Sequence, residues 1–196
     1  MPKVTEAHRA ARRDEIVAAA LRCFAAKGYQ RTSMADVIEE SGLSAGAIYG
    51  YFTGKQELFA AVAGRILEAR QGELEQQRAR GEPLAPGQVM ATLIDGMRRE
   101  PFGHVIVQLW AEAAIDPEIG ELVQAVLMRV RETVRQRLVE WATAEPGRVD
   151  GDPGEWASRV TPVMIGLAPG FMIQRAIVPG FDEEAFLAAL PEVLPH

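Results

Sequence analysis

Apolar residues recur along this chain at spacings of three and four for most of its length, and no segment sustains the alternation of a half-buried strand. From Glu6 to Lys27, the residues Ile16, Val17, Ala20, Cys23 and Phe24 make one stripe, and Gly28 stands where such a helix would stop. Ser33 followed by Asp36 resembles a capping box at the head of a short helix with Met34, Val37 and Ile38 as its apolar face, ending at Ser41-Gly42. Thr53 and Gln56 form a second capping pair, the threonine side chain taking a free backbone N–H and the glutamine reaching back to the threonine N–H. A long helix is predicted to follow. It carries Leu58, Phe59, Val62, Ile66 and Leu67 on one face, then turns polar through Glu75 and Arg80, and Gly81-Glu82-Pro83-Leu84-Ala85-Pro86-Gly87 predicts a break.

Further on, Pro101, Pro117 and Pro153 each follow an acidic residue (Glu100, Asp116, Asp152). Proline at the first helical position loses an N–H that has no partner there anyway, so these mark three helix starts. Phe181 and Phe186 flank Asp182 at the spacing of a hydrophobic staple, which predicts a last helix over about 183–193. The fold class is therefore all-α. An N-terminal three-helix domain over 1–55 is expected to precede a larger helical domain over 56–196, with the boundary inside the long helix rather than at a flexible linker.

Composition adds exclusions. The chain is 48% apolar and 24% charged, the balance of an ordinary globular protein. It contains no run of about 18 apolar residues, and Met1-Pro2-Lys3-Val4-Thr5-Glu6 lacks the basic-then-apolar order of a secretory signal, so a cytoplasmic protein without a membrane partner is expected. Cys23 is the single cysteine, and His8, His104 and His196 lie far apart, so neither a disulfide nor metal-ligand spacing is present and no cofactor is expected. Net charge is −6 but is divided unevenly: residues 1–55 hold eight Lys/Arg against six Asp/Glu, which leaves −8 on the remainder. A mildly basic end on an acidic body suits a protein that presents that end to phosphate.

The run Phe24-Ala25-Ala26-Lys27-Gly28-Tyr29 through Thr32-Ser33-Met34, Ser41-Gly42-Leu43-Ser44-Ala45-Gly46-Ala47-Ile48-Tyr49-Gly50-Tyr51-Phe52 and Lys55-Gln56-Glu57-Leu58 closely resembles the N-terminal domain of the TetR family of transcriptional regulators. The resemblance implies a helix-turn-helix between about Thr32 and Lys55. Phosphates would be contacted by Thr32, Ser33, Tyr49, Tyr51 and Lys55, and base edges approached by Ser44, Ala45, Gly46 and Ala47. The residues themselves agree: a recognition helix of about two turns must bring its backbone near the groove floor, which small side chains permit. Ile48 and Phe52, four apart, would face inward against Val37, Ile38 and Leu43. The chain departs from many family members at Gly50, and with Ala45-Gly46-Ala47 this leaves few long groups to read bases. Specificity is then expected from thymine methyl contacts and DNA shape, with Arg9, Arg12 and Arg13 available to the backbone.

Gly42-Leu43-Ser44-Ala45-Gly46 also fits the G-x-S-x-G pattern of a hydrolase nucleophile elbow, but a charged helix rather than a strand precedes it, and a non-enzyme is expected. The resemblance further implies that the C-terminal domain binds a small-molecule effector and forms a homodimer on double-stranded operator DNA. Val160 to Ile173 is the most apolar stretch and holds Gly166 and Gly170, where another helix could approach closely, while Pro162 and Pro169 would bend it. For an apolar effector lining, the residues chosen are Phe102, Trp110, Met128, Met164, Phe171 and Met172, with His104, Gln108 and Glu112 to orient it. A repressor is the reading adopted; an activator on the same fold and a helical interaction module remain open at this stage.

Overall fold

A computed structural model describes residues 6–81, 83–100 and 103–194, except for the side chain of His104. The predicted helix start at Pro101 and the lining candidate Phe102 lie outside the described residues, as does the His104 side chain. Ten helices and no strand occur among the described residues: α1 Glu6–Lys27, α2 Met34–Ser41, α3 Ala45–Tyr49, α4 Lys55–Arg78, α5 Pro86–Arg99, α6 Gly103–Ala113, α7 Pro117–Thr143, α8 Pro153–Ile165, α9 Leu167–Ile177 and α10 Glu183–Val193. They divide into two compact units, Met1–Ile66 and Leu67–His196. The division falls inside α4, about three turns beyond residue 55, because Leu58, Phe59 and Val62 are buried.

In the N-terminal unit each helix end has a chemical cause. α1 buries Ile16, Val17, Ala19, Ala20, Cys23 and Phe24, and closes where the Gly28 N–H donates to the Phe24 carbonyl at 2.8 Å. The Asp36 N–H donates to Ser33 Oγ at 3.2 Å while the Ser33 N–H donates to Asp36 Oδ2 at 2.7 Å, the reciprocal box read from the sequence. α2 stops at Gly42, whose φ of 67° lies in the left-handed region that glycine enters without strain. At α4 the expected Thr53–Gln56 box is replaced by a one-way arrangement in which Thr53 only donates and the acceptor is Glu57. The helix begins at Lys55, so Glu57 stands at its third position, and its Oε2 accepts from both the N–H (2.7 Å) and the hydroxyl (2.8 Å) of Thr53. A carboxylate is also the better group at the positive end of the helix dipole.

The C-terminal unit is built on Leu74, Val89, Met90, Leu93, Ile94, Val134, Leu138, Met164, Phe171 and Leu190. Asp116, Asp152 and Asp182 cap α7, α8 and α10 through side-chain oxygens, with Pro117 and Pro153 opening their helices as predicted. Phe181 and Phe186 meet at 5.8 Å between ring centroids, and both pack on Phe171. α5 corrects the predicted break: it starts at Pro86, where the Ala85 N–H donates to the Gln88 side chain at 2.9 Å. A Cβ on Gly87 would come within 2.6 Å of the Pro191 Cα, so α5 and α10 meet backbone against backbone. Near the expected bend the helix is divided at Gly166, between Pro162 in α8 and Pro169 in the first turn of α9. Taken together, Pro153–Ile177 is a 25-residue stretch long and apolar enough by length and composition alone to cross a membrane, although Arg159, Thr161, Gln174 and Arg175 interrupt it and it holds no run of about 18 apolar residues. Ala157, Thr161, Met164, Ala168, Phe171 and Met172 tie one side of it into the core.

Candidate nucleic-acid interface

The turn between α2 and α3, and α3 itself, are held from beneath. Ile48 and Phe52 are 0% and 1% exposed, as their spacing predicted, and the Phe24, Tyr29 and Phe59 rings form a three-way contact with centroids 5.1, 5.7 and 5.8 Å apart. Outside this core, Arg22 pairs with Glu40 at 2.6 Å and Lys27 with Asp36 at 2.5 Å, joining α1 to α2. The Lys27 bond, followed by those from Ser33, holds the Asp36 carboxyl far below the usual carboxylate range, and the same bond raises the Lys27 ammonium. Thr53 likewise lowers Glu57, chiefly through its backbone N–H. Burial, then the neighbouring Glu40 and Asp36 charges, raises the Cys23 thiol, which donates to the Asp36 carbonyl at 3.6 Å. This cysteine is a packing residue.

Ser33, Ser44, Ala45, Gly46 and Tyr49 are exposed, Tyr49 at 51%, and Ala47 and Tyr51 are half-buried. Ser44 caps α3 by accepting from the Ala47 N–H at 3.2 Å. Around Gly46 a Cβ would meet nothing within 4 Å, so the fold leaves that surface bare without needing glycine there. Two site candidates are engaged in the fold itself. Thr32 is 2% exposed, and its hydroxyl donates to the Gly28 carbonyl at 2.7 Å and lies 3.2 Å from that of Cys23. Lys55 Nζ donates to the Tyr29 and Gln30 carbonyls at 3.1 and 3.2 Å and lies 4.4 Å from the Tyr29 ring centroid.

Two cation–ring contacts go beyond what the sequence alone predicts. The Arg9 guanidinium lies over Tyr51 (5.7 Å to the centroid) and that of Arg13 over Phe52 (5.2 Å), so α1 places exposed cations at the exit of α3. The signal was present in the arginine spacing of four, which sets both on one face of α1. In the C-terminal unit the lining candidates separate: Met164, Phe171 and Met172 join the core cluster, Trp110 and Glu112 are half-buried, and Gln108 and Met128 are exposed. Among the described residues no group of three acidic, histidine or cysteine side chains could hold a metal ion.

Comparison with known proteins agrees with this geometry. Residues 16–62 match the family described as bacterial regulatory proteins, tetR family, and residues 86–195 match the BetI-type transcriptional repressor C-terminal family. The HTH-type transcriptional regulator YfiR of Bacillus subtilis is 46% identical over 61 residues, a match spanning 31% of this chain and 30% of that protein. The HTH-type transcriptional repressor AcnR of Corynebacterium jeikeium is 30% identical over 183 residues, 93% of each chain. The crystal structure of the transcriptional regulator FadR from Bacillus subtilis in complex with stearoyl-CoA superposes with a TM-score of 0.70 at 15% identity, over 93% of this chain and 97% of that one. With both of its units matched and a relative aligned along nearly its whole length, the chain belongs to the TetR family of bacterial regulatory proteins.

Proposed function

We propose that this chain is a ligand-responsive transcriptional repressor that binds a near-palindromic operator as a homodimer and is released by a small, largely apolar or aromatic effector. The observation that carries the reading is α3: a short helix pinned by Ile48 and Phe52 whose outer surface is Ser44, Ala45, Gly46 and Tyr49. Such a helix can lie deep in a major groove, with Ala45 and Ala47 against thymine methyls and Ser33, Tyr49 and Tyr51 on phosphates. Arg9 and Arg13 extend the phosphate-binding edge, while Thr32 and Lys55 shape the turn through their carbonyl partners.

For the dimer, support comes from the uncovered side of α8 and α9. Val163, Gly166, Gly170, Ile173 and Ile177 recur at helical spacing, Val163 and Ile177 are 70% and 71% exposed, and a Cβ on Gly170 would meet nothing within 4 Å. An apolar stripe with a small-residue centre fits a second copy of itself. Paired copies would set two recognition helices about 34–36 Å apart, one turn of DNA. For the effector, the proposed lining is Trp110, Gln108, Glu112 and Met128, which keep some exposure, and Met164, Phe171 and Met172, which a ligand would have to uncover from the core, with Phe102 and His104 as the remaining candidates. The fold relative FadR holds stearoyl-CoA, which accords with a largely apolar ligand. Release requires only differential affinity: about 5.5 kcal/mol of preference takes a two-state equilibrium from 1:99 to 99:1.

A mobility shift on the DNA upstream of the chain's own gene, at about 150 mM salt, checks the core of this reading. Retardation of that fragment at protein concentrations that leave a scrambled duplex free is expected. Equal retardation of both overturns it.

A further inference from the structure

Apolar anchoring is sparse along the second half of α4, and polar links supplement it, to α5 through Glu73–Arg99 and Gln77–Thr92 and to α7 through a cluster of charge. Between Leu67 and Arg78, Leu67 and Leu74 are the buried apolar side chains, and the remaining links are polar. Glu75 accepts from Arg137 of α7, and Arg137 also donates to Glu140 at 2.9 Å. Arg78 of α4 reaches Glu140 at 3.5 Å and Glu75 at 3.7 Å, which closes a ring of alternating charge with two members on each helix. One turn earlier, Gln71 Nε2 donates to Thr133 Oγ1 at 2.8 Å. Arg137 is the anchored member, its side chain 10% exposed, whereas Glu75 is 54% exposed.

These features differ physically from an apolar seat. Burial of leucine is non-directional and tolerates sliding, but a ring built from residues 75 and 78 against 137 and 140 closes in one register. Displacing α4 by one turn, about 5.4 Å, separates all of its cross-helix pairs. Exposed ion pairs are individually weak, so the register is defined without being locked. Because the Arg137 side chain is nearly buried, removing its carboxylates would strand a desolvated charge.

We propose that the Glu75–Arg137–Glu140–Arg78 ring fixes the register of α4 on α7 and that its members are positioning residues for operator binding, since α4 continues unbroken into the N-terminal unit. The proposal rests on the DNA-binding reading above. Its test uses the full-length protein, a duplex selected by the wild type from a random pool, and a scrambled duplex. In E75Q/E140Q, affinity for the selected duplex is expected to fall about tenfold, within the usual range of coupling. Scrambled-duplex affinity should stay constant, and backbone amides of residues 67–78 should exchange faster. E75Q/E140Q/R137M removes the stranded cation as well and is expected to regain the thermal midpoint while the tenfold loss persists. Recovery of affinity together with the midpoint would show that the ring only stabilises the fold, and would overturn the proposal. Unchanged discrimination in both variants overturns it too, with the DNA-binding reading intact. A wild type that enriches no sequence defeats that reading, and the proposal falls with it.

Discussion

At the scale of single residues, what distinguishes the recognition helix is the side chains it lacks. Because a Cβ at Gly46 would enter open space, Gly46→Ser should fold as well as the parent or gain up to about 1 kcal/mol from the lost backbone freedom of glycine. Its effect should appear instead as a changed preference among bases in a binding-site selection. An unchanged preference would mean that position 46 does not approach the bases. The capping carboxylates make a second prediction. Asp36 and Glu57 both sit below their ordinary values in the folded protein, so each contributes fully at neutral pH and loses that contribution as pH falls through its lowered value. Circular dichroism should show the helices of the N-terminal unit weakening only below the normal carboxylate range, and Asp36→Asn should flatten this acid dependence. An acid limb identical in the two proteins would remove Asp36 as its cause.

Among the elements, those announced by side-chain chemistry were legible and those set by backbone contact were not. Ser33 with Asp36, the acid-proline starts at Asp116 and Asp152, and the Phe181/Phe186 staple all appear where their spacing predicts. α5 escaped because Ala85 has no capping oxygen and because Pro86-Gly87 reads as a loop, although Gly87 is what lets Pro191 approach. Gly87→Ala should therefore destabilise the C-terminal unit by about 1–3 kcal/mol or more, as overpacking does. Chemical denaturation measures this directly, and a shift below about 0.5 kcal/mol would show that α10 moves aside freely. Glu57 rather than the predicted Gln56 reaches back to Thr53, because α4 starts at Lys55 and the helix start decides which side chain stands at its third position.

For the whole molecule, the candidate interface is more legible in the sequence than the proposed effector lining. The N-terminal pattern concentrates function and packing in one short stretch. The C-terminal unit instead spreads Met128, Met164, Phe171 and Met172 between surface and core, which periodicity cannot separate. The exposed stripe of α8 and α9 is where assembly should be decided. Ile177→Glu places a charge where another copy would pack, and light scattering should report a monomer with unaltered helix content. A dimer of undiminished affinity would move the interface elsewhere. Loss of the dimer should also weaken operator binding steeply, because one short, bare helix makes few contacts alone.

Selection of wild-type protein against a random duplex pool at about 150 mM salt, followed by sequencing, tests specific recognition most directly. The prediction is enrichment of a near-palindrome whose half-sites lie about one helical turn apart, rich in A·T pairs where Ala45 and Ala47 would meet thymine methyls. A pool that stays unenriched while the protein retains salt-dependent affinity for every duplex would contradict the account.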